Sequence, residues 1–370
     1  MTMGKSKVFF TDMHTTIREN LQGKLERLLR AAGMETIDFQ NKFAAIKMHF
    51  GEPGNLAYLR PNYAKTVADF VKKQGGKPFL TDCNTLYVGG RKNALLHLDS
   101  AALNGFSYET TGCRILIADG LKGTDEALVP VPDGQYVKEA KIGRTIMDAD
   151  IIISLSHFKG HELTGIGGAI KNIGMGCGSR AGKMEMHSNG KPDVNQDDCV
   201  GCGTCTLTCE PKAIRVKNKK ASVDHDLCVG CGRCIGVCPT DAVQPVLDEA
   251  NDILGAKMAE YTWAVLHGKP NFHISLVVDV SPFCDCHAEN DIPIVPDVGM
   301  FASFDPVALD VACTDAVNKQ TAVKGSLLEK HGHEHHDHFT DVSPDTNWNA
   351  AIDHSVRMGL GNREYELIKI

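Results

Sequence analysis

Up to about residue 192, short apolar runs alternate with longer stretches in which apolar side chains recur every three or four positions. Residues 8–11, 43–50, 78–82, 114–118 and 150–156 read as strands. Residues 16–32 and 61–74 carry helical periodicity, with Pro61 suited to a first helical position and Gly75–Gly76 to a helix end. Residues 93–103 predict a third, shorter helix. Strands alternating with helices predict an α/β fold, a mainly parallel sheet with flanking helices.

The pattern stops near Lys191 and resumes near Pro245. Beyond it come a helix over 246–266, strands over 272–280 and 292–296, and a helix over 306–318 with Asp305 as N-cap. The simplest organisation is one α/β domain, 1–192 plus 246–370, interrupted by an insert at 193–245. Two α/β domains flanking the insert are the alternative.

The insert repeats itself. Cys199, Cys202, Cys205 and Cys209 follow the spacing C-x2-C-x2-C-x3-C, and Cys228, Cys231, Cys234 and Cys238 repeat it 29 residues later. Three closely spaced thiolates on a Gly-containing loop can reach three irons of one [4Fe–4S] cube. The fourth is carried off on the next turn to the other cube. The expectation is two [4Fe–4S] clusters: one on Cys199, Cys202, Cys205 and Cys238, the other on Cys228, Cys231, Cys234 and Cys209. The alternative is zinc, which prefers two CxxC pairs across a longer spacer. The insert resembles the bacterial two-cluster ferredoxin throughout, except that Glu210 separates Cys209 from Pro211. That resemblance implies low cluster potentials.

Composition adds little to this. With 42% hydrophobic and 23% charged residues the chain is ordinary for a globular protein. A net charge of −7 gives no basic footprint for nucleic acid or an anionic membrane. No apolar run reaches membrane-spanning length, and the first residues lack a signal peptide's apolar core, so a cytoplasmic location is expected. Fourteen cysteines at mostly ligand-like spacing then suggest thiolate ligands rather than disulfides.

Two further segments carry candidate chemistry at strand exits, where parallel sheets collect ligands. Residues 156–182 hold His157, Lys159, His161 and Lys171 among eight glycines. The histidines could exchange protons or bind metal, and Lys159 and Lys171 could hold a carboxylate or phosphate. Gly165, Gly167 and Gly168 lead into a helix and could expose backbone N–H groups to an anion. The plainer alternative is a surface loop turning on its glycines. Residues 284–287 read Cys284, Asp285, Cys286, His287, a set able to bind metal, accept a thiol or form a redox disulfide. Two ordinary thiols near a turn are the bland alternative. The tract 331–338 has five histidines and reads as a solvated loop with adventitious metal affinity. Cys83, Cys113, Cys177 and Cys313 read as mostly structural.

Residues 47–55 (KMHFGEPGN), 81–94 (TDCNTLYVGGRKNA), 157–176, 281–287 (SPFCDCH), 303–310 (SFDPVALD) and 359–368 (GLGNREYELI) together resemble domain-of-unknown-function family 362. The resemblance implies that His157, Lys159, His161, Lys171, Asn172, Cys284, Asp285, Cys286, Asp305 and Asp310 share one site. No reaction comes with it.

These observations favour an oxidoreductase fed with electrons by a redox partner protein and acting on a small anionic substrate. A further metal or an anionic ligand near Cys284 and Cys286 is expected. A non-enzymatic electron carrier or partner subunit, and a metal- or cofactor-handling protein, are the alternatives.

Overall fold

A computed structural model describes residues 4–86, 89–187, 190–246, 249–332 and 335–370. Eight strands build its central sheet: β1 (Ser6–Asp12), β2 (Phe43–Lys47), β3 (Lys77–Asp82), β4 (Arg114–Ile117), β5 (Ile151–His157), β6 (Asn271–Val277), β7 (Gly299–Ser303) and β8 (Tyr365–Lys369). Their order is β8-β1-β7-β6-β5-β2-β3-β4. Every neighbouring pair is parallel except the two that β7 makes, so seven strands share one direction. Helices Leu21–Ala31, Pro61–Lys73, Ala169–Cys177, Asn251–Leu266 and Pro306–Asn318 flank it. The architecture is therefore mixed α/β, with a large, mainly parallel central sheet. Central strands covered on both faces need apolar side chains in both directions. In β5 every residue is buried.

Several boundaries differ from expectation for local reasons. The helix expected from residue 16 starts at Leu21, because Thr16 and Glu19 close a turn and the Asn20 side chain accepts from Gly23 N–H at 2.9 Å. The helix expected from 246 starts at Asn251, with Leu247 and Asp248 outside the described residues. The strand expected at 292–296 does not form. Pro293 and Pro296 have no N–H for a ladder, and the segment packs as an extended loop with Ile294 N–H donating to Val280 O at 2.8 Å. The adjoining antiparallel strand is β7 instead. The runs 43–50 and 272–280 leave the sheet at Lys47 and Val277, which frees their last residues for the cleft above it.

The segment between the two halves of this sheet forms a small structure with its own apolar cluster, including Val194, Cys199, Cys205, Ile214, Ile235, Cys238 and Val243. Pro192–Val194 and Val243–Pro245 pair antiparallel, so the chain enters and leaves it side by side. Its two halves each supply a short helix, Thr204–Leu207 and Arg233–Val237. Arg180 of the α/β body is fully buried against it. A Cβ on Gly236 would stand 3.0 Å from the Arg180 Cζ, so any larger residue there would have to displace the guanidinium by a few tenths of an ångström. Among the described residues no helix is long and apolar enough to cross a membrane.

Candidate functional site

Because β2, β3, β5 and β6 run in parallel, their carboxyl ends share one edge, and a cavity of about 90 Å3 lies there. Lys47 ends β2 and His49 follows it. Asp82 ends β3. His157 ends β5. The chain after β6 brings Cys284, Asp285 and Cys286 onto the same cavity. Lys159, His161, Gly167, Gly168, Lys171 and Asn172 complete the expected wall.

The glycine-rich stretch is a hairpin rather than an open loop. Lys159–His161 pairs antiparallel with Gly165–Gly167, and alternation puts Lys159 and His161 on one face. Gly165, at φ +74°, turns beneath Trp348 and is not part of the cavity lining. Gly168 is required by packing, since a Cβ there would meet the Asp310 carboxylate at 2.3 Å. That carboxylate accepts from Ala169 N–H at 2.7 Å and Ile170 N–H at 3.0 Å. The Ala169 and Ile170 amides at the helix N-terminus are thus already taken by Asp310, while Gly167 and Gly168 line the cavity. Asp305 also stands apart from the cavity. It caps Pro306–Asn318 and ties Ser6 Oγ at 2.6 Å and Asn362 N at 2.8 Å. Asn172 lines the cavity but is fully used as a brace. Its Oδ1 accepts from Lys47 Nζ, and its Nδ2 donates to Lys47 O and Ser154 Oγ, each at 2.9 Å.

Each buried polar partner narrows what the expected residues can do. His157 Nδ1 faces Asp285 Oδ1 at 2.9 Å and Nε2 faces Val278 O at 2.8 Å, so both ring nitrogens are committed to acceptors. His157 therefore holds Asp285 and has no nitrogen left for a ligand. Burial opposes charge on Asp285, but His157 and Lys159 outweigh it and hold its pKa down at about 2. His161 Nδ1 accepts from Leu163 N–H at 3.0 Å and Thr164 N–H at 3.2 Å. The backbone thereby assigns the ring proton to Nε2. Burial keeps this ring neutral by lowering its pKa.

The turn at 284–286 carries the reactive atom. A hydrogen bond from Cys286 lowers the Cys284 pKa well below that of an ordinary thiol; burial opposes this, while Lys159, Lys171 and His161 reinforce it. Lys171 Nζ lies 3.6 Å from Cys284 Sγ and Cys286 N–H donates to it at 3.4 Å. Cys286, sharing that proton, moves the opposite way. A lowered pKa gives Cys284 a larger thiolate fraction near neutrality than an ordinary cysteine has. We predict that alkylation of Cys284 by iodoacetamide, followed by peptide mass mapping, rises less steeply between about pH 7 and 9 than that of an ordinary cysteine. An ordinary cysteine accelerates roughly twentyfold over that interval. A Cys284 rate that climbs in step with the ordinary thiol would sink the assignment.

Among the described residues, two groups bring at least three metal-capable atoms within 4.8 Å of one another: His161, Cys284, Cys286 and Glu162, Cys286, His287. Neither includes an insert cysteine. Those eight instead line two small cavities, one bounded by Cys199, Cys202, Cys205 and Cys238 and the other by Cys209, Cys228, Cys231 and Cys234. In the histidine tract, His331, His335 and His338 bond Asp341 and Gln320, while His333 and Glu334 lie outside the described residues. Cys113, Cys177 and Cys313 are buried thiols whose pKa burial raises, in keeping with a structural role.

Residues that the sequence did not single out supply much of the wall: Lys47, His49, Asp82, Cys83, Arg91, Lys183 and His187. Lys47 and Asp82 form a buried pair at 3.0 Å, and Arg91 pairs with Glu52 at 2.7 Å.

A family model described as "Domain of unknown function (DUF362)" matches residues 44–315. The chain belongs to this family. A curated thylakoid-associated protein of Synechocystis sp. is 26% identical over 150 residues, 39% of this chain and 40% of that protein. Among solved structures, the lactate racemase apoprotein of Thermoanaerobacterium thermosaccharolyticum aligns at TM-score 0.38 and 11% identity, over 74% of this chain and 51% of that one. A Thermotoga maritima protein aligns at 0.37 and 13%, over 72% and 51%. The DUF362 chain thus spans less than half the curated relative and about half of each structural neighbour.

Proposed function

We propose that this DUF362 chain is an iron–sulfur oxidoreductase whose insert carries two [4Fe–4S] clusters and whose α/β cavity holds the electron acceptor beside Cys284. The observation that carries this reading is the division of eight cysteines into two four-cysteine cavities, each mixing both halves of the repeat. A single tetrahedral zinc with Zn–S of about 2.3 Å would draw its sulfurs to about 3.8 Å apart. The insert cysteines are absent from the close-set groups, which suits the larger cube. When bound, such clusters supply electrons one at a time, at potentials anywhere from about −700 to +450 mV.

The chain's own residues then divide the remaining work. Leu86 packs in the same apolar cluster as Cys199, Cys205 and Cys238 and also lines the α/β cavity, so one quartet and the acceptor site share a wall. Cys202 is exposed, with Val200 beside it, which suits brief docking of an electron-donor protein. Lys159 and Lys171 hold the Cys284 thiolate and an anionic ligand. His161 Nε2–H is placed to donate to that thiolate.

A metal-handling role is the second reading, favoured by the closeness of His161, Cys284 and Cys286. The backbone bonds on His161 Nδ1 weigh against it, since a ligating histidine normally donates from its second nitrogen. Anaerobically purified protein is expected to contain about eight irons per chain, from two four-iron clusters. The Cys284→Ser, Cys286→Ser double variant is expected to keep that iron. Zinc in place of iron would end the redox reading, and a stoichiometric extra metal lost in the double variant would move the site to metal handling.

A further inference from the structure

The cavity contains cations and donors that the protein itself leaves unanswered. Lys47 is paired with Asp82, Arg91 with Glu52, and Lys183 bonds the carbonyls of Gly176 and Gly178. Lys159 is 5% exposed and makes no side-chain hydrogen bond among the described residues. Among the described residues Lys171 Nζ has only Cys284 Sγ, at 3.6 Å. His49 is the most telling of the three. Its Nδ1 accepts from Gly51 N–H at 2.9 Å, which leaves the proton on Nε2, and that Nε2 is fully buried with no partner. Burial, aided by Arg91, lowers its pKa to about 3, so it stays a neutral donor. A buried N–H left unsatisfied destabilises the fold unless a ligand accepts from it.

Resting on the reading of this cavity as the acceptor site, we infer that it is built for a small carboxylate, held by Lys159, Lys171 and His49 Nε2–H beside the Cys284 sulfur. A phosphate would ordinarily draw on a cluster of backbone N–H groups at a helix N-terminus. Here Asp310 already occupies those of Ala169 and Ile170. Lys159 and Lys171 both face the Cys284 thiolate, and Lys159 shares Asp285 with His157, so the N–H donors of the two ammonium groups remain open to one small anion. A monoanion with a single polar head matches two ammonium groups and one N–H donor.

Iodoacetate and iodoacetamide test this directly. Both form the same bond from Cys284 Sγ to a CH2 group and expel iodide; one carries a carboxylate, the other a neutral amide. The anaerobic full-length protein is treated with each, and modification of Cys284 is timed by peptide mass mapping. The iodoacetate-to-iodoacetamide rate ratio, divided by the same ratio for a free cysteine peptide, is expected to be about tenfold or more, the worth of one charge-assisted hydrogen bond. Lys159→Gln, Lys171→Gln and His49→Leu should each shrink it, while Lys171→Arg, which keeps the charge, should retain it. A ratio no higher than the peptide's, no reaction of Cys284 with iodoacetate, or a preference unchanged in all three neutralising variants overturns the inference. Iron measured on the same samples separates the two ideas. A carboxylate preference in iron-free protein removes the cluster reading alone, and eight irons without the preference removes the carboxylate site alone.

Discussion

Replacing Cys209 with serine is expected to remove about four of eight irons, and to remove them from the cluster otherwise held by Cys228, Cys231 and Cys234. Cys209 stands in the first half of the repeat, yet it lines the same small cavity as those three cysteines of the second half. Its counterpart Cys238 lines the cavity of Cys199, Cys202 and Cys205. A chain in which each half served its own cluster would place Cys209 with Cys199. The crossed arrangement welds the halves together, since neither can complete a cage alone. Iron analysis combined with electron paramagnetic resonance of the reduced, anaerobic variant reads the outcome. One remaining cluster, itself lost when Cys238 is also replaced, is the expected result. Survival of the cluster on Cys228, Cys231 and Cys234 with loss of the other would refute the crossing.

The repeat was legible because its pattern is local: eight cysteines within forty residues, at a spacing that suits the two clusters proposed for them. Local signals also located His157, Lys159, His161 and the 284–286 turn, since each cluster of reactive residues follows a strand. What sequence could not supply was the company these residues keep. Lys47, His49, Asp82 and Arg91 lie in stretches that carry the family resemblance but stand in no reactive cluster, and the parallel order β5-β2-β3 gathers them at one edge. Nor could residue type separate ligand-facing groups from braces. Asn172 and His157 line the cavity with every polar atom committed, and Asp310 caps the helix that carries Lys171. The misplaced strand has a similar cause. Residues 292–296 are as apolar as a buried strand, but only Ile294 and Val295 are buried, Ile292 is exposed, and two prolines deny the segment a ladder. Gly299, opening β7, hides the true strand from a propensity argument.

The carboxylate site depends on a buried ion pair beneath it, and breaking that pair carries the largest expected cost to the fold. Lys47 and Asp82 are 1% and 3% exposed, and meet at 3.0 Å on the cavity floor. Burial alone would favour a neutral Asp82; Lys47, His97, His49 and Lys183 overcome it and drive its pKa far down. Asp82→Ala leaves the Lys47 ammonium buried without its counter-charge, a change that typically costs about 3–5 kcal/mol. For the anaerobic holoprotein this should appear as a thermal midpoint roughly 4–6 °C lower. A pair of well-packed apolar residues can replace a buried ion pair with little loss, so Lys47→Met combined with Asp82→Leu should recover most of the deficit. The sign of the pH dependence follows from the same pair. Because the folded pKa of Asp82 is depressed, its contribution is complete above the unfolded carboxyl value near about 4 and fades as the pH falls below it. Lys47 also holds Asn172, which braces the helix bearing Lys171. The double variant should therefore regain stability without regaining the full carboxylate preference at Cys284. Full recovery of both would mean that Lys171 is positioned without the help of Lys47.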